Sequence, residues 1–167
     1  MEKKTVKLSP MSAEAFSEYG TFISGGIKAP DADIPELKFW NRLGVLGHAG
    51  DTSVSIVQTY GKNGLLEETL ESHFNTGEAL LPTEDIFVVV ALAEKNNPQK
   101  PNLETIKAFP VKKGEAVIFS PGVWHHAPLT EAETANTFVV FKSDTPETDC
   151  LALELKDEFG LYYEVEK

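Results

Sequence analysis

The sequence predicts a mainly β protein, a jelly-roll barrel or sandwich of about nine short strands with one short N-terminal helix. Three observations lead there. Apolar, β-branched and aromatic residues come in short runs punctuated by Gly, Pro, Asn and Asp. Only Ser12 to Gly20 carries both a helix-start and a helix-stop signal. Nowhere does a strand pattern alternate with a long helical one, so repeated βα units are not expected.

The elements follow in chain order. Ser12 is the expected N-cap of the helix, Glu14 sits in its first turn, and Gly20 is the expected stop. Phe16 and Tyr19, three apart, point one face of that helix inward. Residues 25–35, rich in Gly, Pro and Asp, read as a loop. Thr52 to Tyr60 alternates, with Val54, Ile56 and Gln58 on one face and Ser53, Ser55 and Val57 on the other. It reads as a strand closed by the Gly61–Gly64 turn, followed by another strand from Leu65 to Leu70. Ile86 to Leu92 is an unbroken apolar run and predicts a strand buried on both faces. Residues 96–101 read as a loop, and further strands are expected at Ile106–Phe109, Val117–Phe119, Thr137–Phe141, Leu151–Leu155 and Leu161–Val165.

Composition narrows the function. A chain of 167 residues is expected to form one domain, residues 1–167. Its net charge of −11 argues against a nucleic-acid partner, because phosphate binding needs clustered cations. No apolar run approaches the roughly 20 residues of a membrane-spanning helix. The N-terminus shows no signal-peptide pattern, and the single cysteine, Cys150, excludes an intrachain disulfide. A cytoplasmic protein acting on a small molecule is the expectation.

Chemistry concentrates in two stretches, Glu71–Glu78 and Gly114–His126, which hold three of the four histidines. Glu71 and His73 are two apart and share a face of a strand. Gly77 permits a tight turn that returns Glu78 to the same region. Pro121-Gly122 is a turn dipeptide, and beyond it alternation points either His125 or His126 inward, not both. Glu71, His73, Glu78 and His125 together suit a divalent metal such as Zn or Mn, or acid–base work. Arg42, the only arginine, is either a surface residue or a planar anchor for a substrate carboxylate.

The spacing of these residues resembles the cupin superfamily, whose first motif is His-x-His-x(3,4)-Glu and whose second is Pro-x-Gly-x2-His. The chain has Glu71-x-His73-x4-Glu78 and Pro121-Gly122-x2-His125, with a glutamate at the first histidine position and one residue fewer after the proline. That resemblance implies a double-stranded β-helix. A fuller one is to the ureidoglycolate lyase family, which splits ureidoglycolate into glyoxylate and urea. It is carried by Leu8-Ser9, Glu14 to Gly20, Glu71-x-His73, Leu81-Pro82 and Phe87 to Ala91. It continues in Pro101-Asn102-Leu103, Ala108-Phe109, the Gly122-Val123-Trp124-His125-His126 block and Asp149-Cys150. The chain departs from that family in reading His73-Phe74 and Glu78 where the family has His-Pro and then Gln. It also lacks an Asn-x-Gly segment before the early arginine.

The resemblance implies a carbon–nitrogen lyase with His73, Glu78 and His125 as catalytic residues and Arg42 and Trp124 as substrate-binding residues. A neutral His73 or His125 would take the hydroxyl proton, and a Glu78 kept protonated by burial would supply one to the departing nitrogen. The alternatives are a metal-dependent cupin enzyme on another small hydroxy acid and a non-catalytic cupin that binds a small acid. A small anionic hydroxy acid is the expected ligand and a homodimer the expected assembly.

Overall fold

The computed structural model describes the chain from Met1 to Lys167, apart from the side chain of Asn63. The largest sheet is antiparallel and five-stranded, in the order Gly20–Ile23, Ala116–Phe119, Glu78–Pro82, Ala135–Lys142 and Thr52–Thr59. Alternation in it is regular. Phe22, Val117, Phe119, Leu80, Val139 and Phe141 face the interior and form one core cluster with Phe16, Tyr19 and Phe109.

Across that cluster lies the Ile86–Val90 strand, paired antiparallel with Lys107–Val111. All five residues of Ile86–Val90 are buried, as the unbroken apolar run predicts. Ile86, Val88 and Val90 belong to the first core cluster, and Val89 belongs to a second one with Val6, Leu70, Ala91, Trp124, Leu155 and Tyr163. The strand is therefore the partition between two cores, and that position requires apolar side chains on both faces. Outside the second core, Glu2–Lys7 pairs in parallel with Leu161–Glu166, which pairs with Leu66–Glu67 on its other edge.

The result is mainly β and layered, as the sequence predicts. Its sheets are open and stacked face to face; hydrogen bonds do not close them into one barrel. Among the described residues there are sixteen strands, more than expected, because several are only two to four residues long. Two expected loops contain hairpins: Ala32–Ile34 with Leu37–Phe39, and Ala93–Glu94 with Asn97–Pro101. Pro, Asn and Asp in those segments tolerate strand pairing at an edge, where missing donors face solvent.

The N-terminal helix is shorter than its signals suggest. Ser12 caps it, accepting from the Ala15 amide at 3.0 Å, but the helix covers only Ala13–Phe16. Gly20 does not end it; Gly20 opens the first strand of the large sheet at φ +153°, where an added Cβ would lie 1.9 Å from the Ile118 carbonyl oxygen. Glycine is needed there for close approach to the neighbouring strand. Two further short helices, Thr145–Thr148 and Leu155–Phe159, flank the Leu151–Glu154 strand.

Candidate functional site

The two histidine stretches meet at one end of the space between the large sheet and the layer facing it. The Glu71 and His125 backbones form a two-way antiparallel bridge, N to O 2.6 and 2.9 Å, and the Gly122 amide donates to the His73 carbonyl at 2.6 Å. The Thr69–Ser72 strand carries Glu71, and His73 follows directly. Glu78 comes from the opposite side, at the start of Glu78–Pro82 and paired with Phe119. Gly77 makes this possible by lack of bulk: a Cβ there would lie 2.8 Å from the Phe119 carbonyl oxygen. No positive φ is recorded for it, so the glycine serves close packing between strands, a different reason from the turn that the sequence suggested.

Both imidazoles are held in one tautomer. His73 Nδ1 lies 2.8 Å from the Asp149 carbonyl oxygen and His125 Nδ1 lies 3.0 Å from that of Val123. A carbonyl only accepts, so each Nδ1 carries the hydrogen and each Nε2 is turned toward Glu78. Phe119 stacks on the His125 ring, with centroids 4.2 Å apart and planes at 26°. His73 and His125 stand edge to face, centroids 5.3 Å apart. Their Nε2 atoms lie 3.1 and 3.7 Å from the two carboxylate oxygens of Glu78 without hydrogen-bond geometry, so that neither buried nitrogen has a hydrogen-bond partner.

Electrostatics at this end follow from burial and proximity. Burial by itself would push the Glu78 carboxyl up, but the adjacent His125 and His73 rings hold it down to about 2. Burial likewise opposes charge on His73, and Glu78 together with the Asp149 carbonyl outweighs it, raising His73 above its ordinary value. The expected protonated Glu78 is therefore corrected: beside two imidazoles this carboxyl is held ionised. Cys150 donates to Glu71 Oε2 at 3.4 Å, and burial, followed by the Glu71 charge, raises its thiol to about 11.

One donor atom from each of Glu71, His73 and His125 falls within 4.8 Å of the others. Ligands around one divalent ion stand roughly 3 to 4.5 Å apart, so these three fit such an ion after small rotations, and the two unpartnered Nε2 atoms are the donors it needs. Glu78 reaches the same nitrogens from the opposite side, but it is not among the three residues whose donor atoms converge, so three of the four ligands expected from the sequence come together. The cavity in front of them holds about 300 Å³ and is lined by Glu71, His73, Glu78, Val57, Phe141 and Cys150 among others.

Two expected site residues lie elsewhere. Trp124 is fully buried in the second core. Neighbours along an extended segment point to opposite faces, so turning His125 into the cavity turns Trp124 away. Arg42 is exposed at φ +50° and does not line the cavity. Its segment crosses the outer face of the large sheet, where Gly44 packs on Ile23 and Ile118. His126 also points away from His125, with Nδ1 3.2 Å from an oxygen of buried Glu67.

The sequence reading gave Asp149, Cys150, Phe119 and Glu67 no role. Asp149 does more than accept from His73: its two carboxylate oxygens receive the amides of Phe74 and Asn75 at 2.9 and 2.8 Å. The Asp149-Cys150 pair stood out as a matched piece, but nothing in its spacing points to a histidine 76 residues away. Glu67 carries no local signal.

A family model described as ureidoglycolate lyase matches residues 3–161. A putative ureidoglycolate lyase of Agrobacterium fabrum is 29% identical over 128 residues, covering 74% of each chain. The ureidoglycolate lyase of Saccharomyces cerevisiae is 25% identical, covering 92% of this chain and 95% of its own. Among solved structures, a Bacillus subtilis oxalate decarboxylase studied for its Mn(II) centres aligns at TM-score 0.42 and 13% identity. That alignment covers 64% of this chain and 24% of the longer one. A family match across nearly the whole chain has one consequence: this chain belongs to the ureidoglycolate lyase family.

Proposed function

We propose that the protein is a cytoplasmic carbon–nitrogen lyase that splits ureidoglycolate into glyoxylate and urea in the cavity between His73, His125 and Glu78. The observation that carries this reading is the pair of unpartnered Nε2 atoms set 3.1 and 3.7 Å from the Glu78 carboxylate, beside a cavity of small-metabolite size that His73 and Glu78 line. The substrate carbon bears a hydroxyl, a carboxylate and a ureido nitrogen. Moving one proton from the hydroxyl to that nitrogen breaks the carbon–nitrogen bond and leaves an aldehyde and urea, with no net gain or loss of protons. Glu78, ionised and flanked by both rings, takes the hydroxyl proton and returns it to the departing nitrogen. Phe119 and Phe141 exclude water on the large-sheet side.

Charge favours a metal. Among the described residues the cavity is lined by no lysine or arginine, while Glu71 and Glu78 both face it. An anionic substrate would be repelled there unless a cation offsets the carboxylates. Glu71, His73 and His125 would hold a divalent ion, with Glu78 beside them, and such an ion would supply Lewis acidity toward the hydroxyl and carboxylate of the substrate. Incubating metal-loaded and metal-stripped protein with ureidoglycolate, and following glyoxylate and urea, tests the reading. No urea from the metal-loaded protein overturns it.

A second reading has one observation in its favour. Glu78 stands where the family pattern has glutamine, which places an additional negative charge at the reacting carbon. A metal-dependent reaction on another small hydroxy acid would suit that charge. Turnover of a hydroxy acid lacking the ureido group, with ureidoglycolate inert, would establish it.

The assembly we propose is a homodimer. Val54, Ile56, Leu81 and Phe138 are 67, 60, 42 and 40% exposed on adjacent strands of the large sheet, with Phe138 in register between Ile56 and Leu81. An apolar patch of this kind marks an association surface. A monomer mass by light scattering at micromolar concentration would refute it.

A further inference from the structure

A second cavity, of about 340 Å³, lies beyond the His125–His126 segment and shares only Ala127 and Pro128 with the first. Its lining includes Tyr60, Leu66, Glu67, Glu68, Thr69 and His126. Nothing in the reaction proposed for the first cavity uses it.

Its floor is unusual. Glu67 is 2% exposed, although glutamate is almost never buried unless paired. Its Oε1 lies 3.2 Å from His126 Nδ1 and accepts from the Thr69 amide at 3.3 Å. Among the described residues, no side chain reaches Oε2. Burying a carboxylate is costly, and one imidazole with the Thr69 and Glu68 amides leaves part of its accepting capacity unused. Carboxylates in such settings accept planar, two-pronged N–H donors best.

The remaining walls restrict the ligand further. Among the described residues no lysine or arginine lines this cavity, and Glu68 adds a second carboxylate. The Lys62 ammonium sits over the Tyr60 ring, 5.5 Å from its centroid, and is not part of the lining. Anions are therefore disfavoured, and neutral or cationic donors are admitted. The volume is at the small end of ligand pockets and suits a compact molecule.

We propose that this cavity is a second small-molecule site, in which the Glu67 carboxylate receives a planar N–H donor group of guanidinium or ureido type. It stands independently of the reaction assigned to the first cavity. The site binds through Glu67, and His126 fixes that carboxylate from the side.

Isotopically labelled full-length protein titrated with methylguanidinium, methylurea and acetate in separate NMR experiments tests the proposal. At least one of the two N–H donors should give saturable shifts at Thr69, His126 and Tyr60, and acetate should give none. Preference for methylguanidinium identifies a charged ligand, and preference for methylurea a neutral one. Glu67→Gln should weaken the bound probe at least about tenfold. Leu66→Trp, at an exposed rim position that tolerates substitution, should fill the cavity and block either probe even if Glu67→Gln does not fold. Shifts that never saturate, shifts confined to the His73 and His125 cavity, or binding that survives Leu66→Trp would overturn it.

Discussion

His73 Nε2 lies 3.1 Å from Glu78 Oε2, although the two residues reach the site from facing layers of the molecule. Both are nearly inaccessible to solvent, at 4 and 6% exposure. Each therefore sets the proton affinity of the other, and the behaviour of the site with pH follows from this pair.

Glu78→Gln removes the carboxylate that raises His73, so the titration midpoint of the His73 ring in the metal-free protein should fall. Proton NMR of the ring measures it directly. In the proposed reaction the same change removes the proton carrier and should lower turnover by about a hundredfold or more. An unmoved His73 midpoint would mean that the pair does not form in solution.

The pair also sets the pH limits of stability. Glu78 is depressed from 4.5 to about 2, so its contribution is present above 4.5 and is lost as pH falls toward about 2. His73 is raised, so its contribution is present below its ordinary value of 6.5 and is lost as pH rises through the higher folded value. Denaturation of metal-free protein at several pH values should show both losses, and Glu78→Gln should flatten both. Parallel pH profiles for the two proteins would contradict the assignment.

Metal binding must displace the proton from His73. Affinity for Zn²⁺ or Mn²⁺ should therefore rise by up to about tenfold per pH unit until the raised His73 value is passed. Competition titrations with a chelator at stepped pH test this. Full ureidoglycolate turnover by protein shown metal-free by elemental analysis would remove the metal from the proposal and leave Glu78 as proton carrier.

Asp149 links the site to the far end of the chain. Asp149→Ala deletes two charge-assisted hydrogen bonds to the Phe74 and Asn75 amides while keeping the carbonyl that binds His73. The side chain is half-buried, so a stability loss of about 1 to 2 kcal/mol is expected. Turnover should fall with it, because the loop that aims His73 loosens. Asp149→Asn keeps one accepting oxygen and should restore part of both. Unchanged stability and turnover in both variants would show that only the carbonyl matters.

His126→Ala should damage turnover far less than His125→Ala, because His126 faces Glu67 and not the first cavity. It should still cost stability, about 1 to 3 kcal/mol, by leaving a buried carboxylate without its ring partner. A larger effect on turnover at His126 than at His125 would reverse the assignment of inward and outward faces.

Several of these relations are readable from residues alone. The apolar run at 86–90 determined a strand buried on both sides, because no exposed face tolerates five apolar residues in succession. Alternation put His125 and His126 on opposite faces, and the paired motifs put His73, Glu71 and Glu78 near His125. Short runs between turn residues determined the β class.

Other features depend on distant segments that local pattern cannot bring together. The Thr52–Thr59 strand alternates as expected, yet its more apolar face, Val54 and Ile56, is exposed, while Val57 on the other face packs against the first core. Period-two patterning gives two faces and does not say which one meets the core. The proton on Glu78 was misjudged for a similar reason: burial alone raises a carboxyl, and only the folded chain places two imidazoles against it. Trp124 and Arg42 belong to the site in the linear motif and leave it in space, one through strand alternation and the other through the path of its loop over the outer sheet face. The sequence determined which residues carry chemistry; the tertiary structure decided which of them share a solvent-poor cavity, because proximity between strands far apart in the chain sets both their contacts and their charges.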